Sequence, residues 1–145
     1  MPEYLMIVAC PSCNGLNRLP DNKPAVEGRC GKCKQALFQG KPIELTAANF
    51  AAHAQKSELP LVVDFWASWC GPCQSFAPIF SQAANELEPH FHFGKINTEQ
   101  QQQLAAQFGI RSIPTLMVFK QGNVLAQQAG AFPKQAFYQW LSQYK

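Results

Sequence analysis

The chain has 145 residues, 47% of them hydrophobic and 14% charged, with a formal net charge of +3. This length accommodates one domain with a hydrophobic core and a small additional module, but not two large domains. The modest charge and the absence of a Lys/Arg-rich run argue against nucleic-acid binding. No segment approaches the roughly 20 apolar residues of a transmembrane helix, so we expect no membrane association.

Residues 1–9 contain no basic leader, and their apolar run is too short for the core of a signal peptide. We therefore expect a protein that is not exported and that resides in the cytoplasm. In that compartment, cysteines serve as metal ligands or working thiols more often than as structural disulfides. The six cysteines of the chain should have one of these two uses.

Residues 10–42 are rich in Gly, Pro, Asn, Lys and Arg and offer few side chains for a core. They contain two Cys-x-x-Cys pairs whose separation matches a four-cysteine zinc site, in which each pair forms a knuckle. Zinc contributes on the order of 10 kcal/mol to folding, enough to order such a segment. We predict an N-terminal zinc ribbon that holds one structural zinc ion through Cys10, Cys13, Cys30 and Cys33.

Two alternatives use the same four cysteines. The set could bind iron, or it could form two separate redox-active pairs. A further hypothesis is that oxidation of the thiolates ejects the zinc and makes the ribbon a redox sensor.

From Pro42 onward, apolar strand-like runs alternate with helical stretches, a pattern typical of α/β domains. We predict a zinc ribbon at 1–42 and a second domain at 43–145. Within the latter, the turn at 120–123 indicates an antiparallel hairpin of the last two strands, whereas the earlier strand–helix–strand unit is parallel. This gives a mixed central sheet flanked by helices on both faces. The predicted strands are 43–45, 61–67, 91–97, 115–120 and 124–130, and the predicted helices are about 47–55, 70–87, 100–108 and 133–144.

The third cysteine pair follows the strand predicted at 61–67 and begins a helix. Two cysteines three positions apart can close a small disulfide ring, and the positive end of the helix stabilises a thiolate on the first. We predict that Cys70 attacks a substrate disulfide and that Cys73 resolves the mixed disulfide. Pro72 suits a first helical turn because it has no N–H to lose. The alternative, a structural pair or half of a metal site, is disfavoured because the other four cysteines already form a complete set.

Asp64 lies within the same apolar run, where a buried carboxylate is costly unless it is protonated or paired. Burial raises a carboxyl pKa, so Asp64 could accept the proton of Cys73 as a general base. The alternative is a strand-edge position in contact with water. Lys95, on the next predicted strand, either modulates that carboxyl or is simply solvated.

Ile113-Pro114 begins another apolar strand, since proline cannot donate to a strand ladder. An X-Pro bond can be cis, and exposed backbone at Ile113 could pair with an extended substrate segment. We predict that Trp66 packs in the core and that Trp69 forms a contact surface. The histidines match no ligand spacing and are expected at the surface; they are His53, His90 and His92.

The pentapeptide Trp69-Cys70-Gly71-Pro72-Cys73, with Asp64 upstream and Pro78 and Ile113-Pro114-Thr115 downstream, closely resembles thioredoxins. The resemblance covers residues 43–145 and implies the thioredoxin fold. It implies that Cys70 is the attacking thiol, Cys73 the resolving thiol and Asp64 a buried acid with Lys95 nearby. It also implies that Pro114 is a cis-proline facing the disulfide and that Gly130 lines the substrate groove. The substrate-binding residues are then Trp69, Gly71, Pro72, Ile113, Pro114 and Gly130.

The first segment, with Cys10-Pro11-Ser12-Cys13 and Cys30-Gly31-Lys32-Cys33, resembles the extension of the bacterial thioredoxin 2 subfamily. One departure is Gln74, where many thioredoxins carry a lysine directly after the second cysteine. The resemblance implies two kinds of partner, an NADPH-dependent flavin enzyme (thioredoxin reductase) and oxidised cytoplasmic proteins. We expect a monomer without an organic cofactor.

The function implied is a cytoplasmic thiol-disulfide oxidoreductase that reduces protein disulfides by dithiol–disulfide exchange. Among enzymes, the alternative is an oxidant or isomerase, but the Gly71-Pro72 pair resembles reducing thioredoxins. Two alternatives of other classes are a binding subunit that uses the fold as a scaffold and a ribbon interaction module with a passive redox domain. Neither explains why Cys70, Cys73 and Asp64 occur together.

Overall fold

The computed structural model describes residues 4–145, and these form a two-stranded sheet and a five-stranded sheet. None of the helices in this range combines the length and the apolar character needed to cross a membrane. The strands are β1 (Tyr4–Ala9), β2 (Leu16–Pro20), β3 (Ile43–Glu44), β4 (Leu61–Trp66), β5 (His92–Asn97), β6 (Thr115–Lys120) and β7 (Asn123–Ala129). The helices are α1 (Gly71–Leu87), α2 (Gln102–Gln107) and α3 (Lys134–Ser142), with a 3-10 turn at Ala25–Glu27 and a π-helical turn at Ala52–Lys56.

The five-stranded sheet has the order β3-β5-β4-β6-β7. β4 is parallel to β5 and antiparallel to β6, and β6 is antiparallel to β7. The predicted mixed sheet, with a parallel unit and a terminal hairpin, is confirmed. The hairpin turns at Gln121 and Gly122, whose φ angles are 50° and 87°. Two positive φ angles match the right-handed twist of paired strands, and glycine adopts such angles without steric cost.

Apolar clusters cover both faces of this sheet. Along β4, Leu61, Val63 and Phe65 belong to one cluster, and Val62 belongs to the other. This alternation follows from the two-residue period of a strand. The Val62 face is covered by α1 and α3, while α2 and the π-helical turn cover the opposite face. Asp64 has the same parity as Val62 and therefore lies on the face that α1 covers.

The ribbon, by which we mean residues 4–42 of the described chain, contains an antiparallel hairpin of β1 and β2. The sequence did not predict this hairpin, because the segment shows little alternation of apolar and polar residues. The predicted helix at 47–55 begins with a turn at 47–49 and is helical from residue 50 to residue 56, with π-helical geometry over Ala52–Lys56. The other predicted strands and helices are found, with shifts of a few residues at their ends.

The ribbon packs against the N-terminal ends of β4 and β5. Val8, Leu19 and Leu37 form one buried cluster with Leu59, which precedes β4. The N–H of Glu58 donates to Ile7 O at 2.7 Å, and the N–H of Ile7 donates to Glu58 Oε1 at 2.8 Å. Apolar contact and paired hydrogen bonds together fix the ribbon to this end of the sheet.

The predicted surface position is wrong for His53 and His92, which are 2% and 3% exposed. His53 Nε2 lies 2.9 Å from Asn14 Oδ1, and His92 Nε2 lies 2.8 Å from Leu37 O. Both rings thus hydrogen-bond to the ribbon, which covers them, and no local sequence pattern reveals that cover. His90 is exposed, as predicted.

Acid should weaken this junction. Burial lowers the pKa of His53 and of His92 to about 4, from an ordinary value of 6.5. The unfolded chain then binds protons below about pH 6.5, whereas the folded chain binds them only near pH 4, so stability is lost as the pH falls through this window. We expect the free energy of unfolding to drop by on the order of 1–2 kcal/mol per histidine between pH 7 and pH 5.

Urea unfolding at the two pH values measures this drop. The double variant His53→Gln/His92→Gln should lose most of the drop, whereas the exposed control His90→Gln should keep it. Protonation of the cysteines is common to all three proteins and cancels in the comparison. A double variant with the same pH dependence as the parent would show that these two rings are not responsible.

Candidate functional site

The junction of β4 and α1 carries a disulfide between Cys70 and Cys73. Cys70 has extended backbone angles and is the N-cap of α1, while Pro72 occupies the first turn, where its missing N–H costs nothing. The N–H of Cys73 donates to Cys70 Sγ at 3.2 Å. Both sulfurs therefore lie at the N-terminus of a 17-residue helix.

This position favours a thiolate once the disulfide is reduced. The free N–H groups and the positive dipole end of α1 stabilise negative charge on Cys70. Both cysteines are nearly enclosed, with Cys70 4% exposed and Cys73 2% exposed. A substrate disulfide must therefore bind to the protein surface around Cys70 in order to reach the sulfur of Cys70.

That surface contains the residues predicted to contact a substrate. Trp69 is 69% exposed, and Gly71 and Pro72 are exposed at the start of α1. Opposite them, the Ile113–Pro114 bond is cis, as predicted, and Ile113 O lies 3.7 Å from Cys70 Sγ.

Gly130 lies beside the cis-proline. Its N–H donates to Pro114 O at 2.8 Å, and its φ of 93° is a backbone conformation that side chains disfavour. A Cβ at this position would meet no atom within 4 Å, so the space above Gly130 is open. The structure thus places Ile113 beside the disulfide, and Gly130 beside the adjacent Pro114. The contact of these residues with a substrate stays a prediction.

Asp64 lies behind the disulfide and is 1% exposed. Its Oδ1 has no hydrogen-bond partner among the residues that the structure describes. Burial raises the pKa of Asp64 to about 7, against the opposing influence of the Lys95 charge. Asp64 also shares the lining of a cavity of about 80 Å³ with Cys73, so the acid and the second cysteine border the same small space.

Lys95 is the register partner of Asp64 on the neighbouring strand β5. Its Nζ lies 4.5 Å from the centroid of the Trp66 ring, which attracts the cation through its π face. Trp66 and Lys95 both line the Asp64 cavity. Trp66 is only half-buried and borders the candidate site, so its role is wider than the core packing we predicted.

Three polar residues near the disulfide were not predicted as part of the site. Gln74 Nε2 donates to Ser68 O at 2.6 Å, and Ser68 Oγ donates to Glu99 Oε1 at 3.1 Å. The sequence marked Gln74 only as a departure from thioredoxins. Ser68 and Glu99 carried no signal, because the contact between them joins two loops that are distant in the chain.

A second candidate site lies in the ribbon. The four sulfurs of its cysteines all lie within 4.8 Å of one another. Cys10 Sγ is 3.6 Å from Cys33 Sγ, and Cys13 Sγ is 3.5 Å from Cys30 Sγ. A tetrahedron of sulfurs at about 2.3 Å from a central zinc ion has edges of about 3.8 Å, so the cluster fits one tetrahedral ion. The four cysteines are positioned to bind a metal ion.

The two cysteine pairs of the ribbon have the same backbone arrangement. In the first, the N–H of Asn14 donates to Cys10 O at 2.9 Å, and Asn14 has a φ of 66°. In the second, the N–H of Lys34 donates to Cys30 O at 3.0 Å, and Lys34 has a φ of 69°. Each pair thus forms a tight turn that closes in the left-handed region, and the two turns face each other.

Hydrogen bonds to sulfur tune this cluster. The backbone N–H of Cys33 and the side-chain amide of Asn17 lower the pKa of Cys30 to about 6. Burial instead raises the pKa of Cys10 to about 12. A bound cation favours the thiolate form of its ligands. Because the pKa of Cys10 is raised, a metal ion would have to lower it further than that of Cys30 to make the thiolate.

Comparison with known proteins agrees with this geometry. A family model described as Thioredoxin matches residues 41–143. Thioredoxin C-3 of Corynebacterium nephridii is 44% identical over 138 residues, covering 95% of this chain and 94% of its own length. A match of that extent must include most of the ribbon.

Two further relatives match a shorter part of the chain. Thioredoxin 1 of Nostoc sp. is 42% identical over 101 residues, which are 70% of this chain and 94% of its own. Thioredoxin of Haemophilus influenzae is 39% identical over 102 residues, 70% of this chain and 95% of its own. The fold, the disulfide at the start of α1 and these relatives agree. The chain belongs to the thioredoxin family, has the thioredoxin fold and is a protein-disulfide oxidoreductase.

Proposed function

We propose that this protein is a cytoplasmic protein-disulfide reductase of the zinc-containing thioredoxin 2 type. The observation that carries the proposal is the Cys70–Cys73 disulfide at the N-terminus of α1, with the buried Asp64 behind it. The reducing direction is supported by the Gly71-Pro72 pair, whose resemblance to reducing thioredoxins favours it over an oxidant or isomerase.

The reaction begins with both cysteines reduced. The Cys70 thiolate attacks one sulfur of a substrate disulfide, forming a mixed disulfide as the substrate bond breaks. The departing substrate sulfur leaves as a thiolate and takes a proton from water. The surface formed by Trp69, Ile113 and Gly130 would hold the substrate chain during this step, with the Ile113 backbone available to an extended segment.

Resolution follows from Cys73. Its thiol gives a proton to Asp64, and the resulting thiolate attacks Cys70 Sγ. The Cys70–Cys73 disulfide forms, and the second substrate sulfur leaves as a thiolate, so two electrons pass from the dithiol to the substrate. A group with a pKa of about 7 suits this transfer, since it accepts and releases a proton near neutral pH. The charge of Lys95 would favour the carboxylate form of Asp64, which is the form that accepts the proton.

The dithiol must then be regenerated. Relatives named thioredoxin support an NADPH-dependent thioredoxin reductase as the electron donor and oxidised cytoplasmic proteins as the acceptors. The chain itself then needs no organic cofactor. We propose that it acts as a monomer.

We further propose that the four ribbon cysteines hold one structural zinc ion. A compact set of four sulfurs suits zinc or iron, and zinc is the metal of four-cysteine knuckles with this spacing. Zinc would supply a cross-link between the two knuckles and take no part in the exchange reaction.

Dithiol exchange can be tested by insulin reduction with dithiothreitol. The parent should accelerate precipitation of the insulin chains, and Cys70→Ser should abolish the acceleration because the attacking sulfur is gone. Cys73→Ser should instead accumulate a covalent complex with its substrate, visible on a non-reducing gel. A parent no faster than Cys70→Ser would contradict the proposed reductase.

Asp64 should make the protein less stable as the pH rises. Its folded pKa of about 7 lies above the ordinary 3.8, so the unfolded chain loses this proton first and stability falls between these pH values. Replacing Asp64 by Asn should remove this loss and stabilise the protein at pH 8 by on the order of 3 kcal/mol.

Guanidinium unfolding at pH 5 and pH 8 measures the difference between the two proteins. Asp64→Asn should also slow resolution in the insulin assay, since the proton acceptor is absent. Glu44→Gln, which alters an exposed carboxylate on β3, is the control for stability. An Asp64→Asn variant no more stable than the parent at pH 8 would show that the buried carboxylate does not destabilise the folded protein.

Metal analysis tests the ribbon. We expect one zinc per chain by elemental analysis, and we expect Cys30→Ser to lower the zinc content by weakening a four-ligand site. A strong chelator should reduce the free energy of unfolding by several kcal/mol, since metal binding contributes on the order of 10 kcal/mol in such sites. Insulin reduction should persist, because zinc takes no part in it. Iron in place of zinc, or loss of activity with the metal, would contradict the proposal.

A further inference from the structure

The loop between β4 and the disulfide, residues 67–69, is tied by side chains from two directions. Gln74 on the first turns of α1 donates from Nε2 to Ser68 O at 2.6 Å. On the other side, Ser68 Oγ donates to Glu99 Oε1 at 3.1 Å, and Glu99 follows β5. Ser68 is therefore held between a helix and a second loop, directly before Trp69 and Cys70.

Gln74 also borders the cavity behind the disulfide. Its side chain is exposed to solvent, yet it lines the same cavity of about 80 Å³ as Asp64, Cys73 and Ala77. A side chain that touches both solvent and the cavity lies at the mouth of that cavity. The cavity is large enough for at least one water molecule, and Asp64 Oδ1 offers such a water an unoccupied acceptor.

We propose that Gln74 is a positioning residue for dithiol exchange: its amide, anchored on Ser68 O, holds the Gln74 side chain across the mouth of the Asp64 cavity and so restricts water at the buried acid. The inference rests on the proposed function, in which Asp64 accepts the proton of Cys73. It assigns to Gln74 an effect on the acid that depends on the hydrogen bond between its side chain and the loop.

The neutral charge of Gln74 is part of this role. The titratable groups that face Asp64 are Cys73 from α1 and Lys95 from β5, while β6 presents the apolar Leu116 as the register partner of Asp64. Glu99 contacts the loop through the Ser68 hydroxyl and is not among the residues that line the cavity. An amide at position 74 ties the loop without adding a second cation beside Lys95, which would favour the charged form of Asp64.

The test compares Gln74→Met with the parent. Methionine keeps the length of the side chain but cannot donate to Ser68 O. Gln82→Met is the matched control, since Gln82 is an exposed glutamine of the same helix whose amide donates to Glu86 on that helix. Gln74→Ala is a second variant, used in case the methionine fills the mouth of the cavity itself. Reversible thermal unfolding confirms that each variant is folded.

Two quantities are measured on the reduced proteins. The first is the rate of Cys70 alkylation by iodoacetamide from pH 5 to pH 10, in which the inflection that disappears in Asp64→Asn belongs to the acid. We expect Gln74→Met or Gln74→Ala to move this inflection to lower pH by about half a pH unit or more, because water that reaches a carboxyl favours its charged form. The second is amide hydrogen exchange of residues 67–70, which should become faster by roughly threefold or more when the tie is lost.

Both changes together, with neither in Gln82→Met, would support the proposal. An inflection that stays in place in both Gln74 variants would overturn it, whether or not the loop exchanges faster. A shifted inflection with unchanged loop exchange would also overturn it, because the effect would then not depend on the hydrogen bond that anchors Gln74 on the loop. Failure of the proposed function is separate, since it would appear as a parent that does not reduce insulin.

Discussion

The central strand β4 is the element on which the candidate active site depends. It is hydrogen-bonded along both edges, to β5 and to β6, and neighbouring strands fix its residues in register. Asp64 lies in this strand, Lys95 is its partner on β5, and the cis-proline directly precedes β6. Cys70 follows the strand after a short loop. Backbone ladders thus hold these groups in place, and the enclosed strand accounts for the raised pKa of the carboxyl.

The same strand separates the two cysteine sites. The ribbon packs near Leu59, before β4 begins, and the disulfide lies beyond Trp66, where β4 ends. Six residues of strand span about 17 Å, so the ribbon and the disulfide occupy opposite ends of the sheet. A substrate bound over Cys70 would therefore contact the end of the sheet that the ribbon does not cover. The ribbon contributes stability at its own end, through an apolar cluster and two buried histidines.

The sequence identified most of the residues that the structure places at the candidate site, because its signals are local. A cysteine pair at a helix start, an acid in an apolar run and an X-Pro step before a strand are each visible within a few residues. Most of the misses within the site and among the buried residues involve contacts between segments that are distant in the chain. His53 and His92 are buried because the ribbon covers them, and the pairing of Ser68 with Glu99 joins two loops. The sequence of the ribbon hairpin shows little alternation of apolar and polar residues. Its strands are therefore recognised from their hydrogen-bonded pairing in the structure and not from the sequence.

The three Cys-x-x-Cys pairs have the same spacing but form two different structures. The backbone conformation of the residue after the second cysteine distinguishes these two structures. Asn14 and Lys34 turn into the left-handed region, which ends each ribbon turn and leaves its sulfurs 3.5–3.6 Å from those of the other pair. Gln74 instead continues α1, so Cys70 and Cys73 bond within one helical turn. Sulfurs shared between two turns suit a metal ion that must stay bound. A bond confined to one turn can open and close while the sheet behind it stays intact.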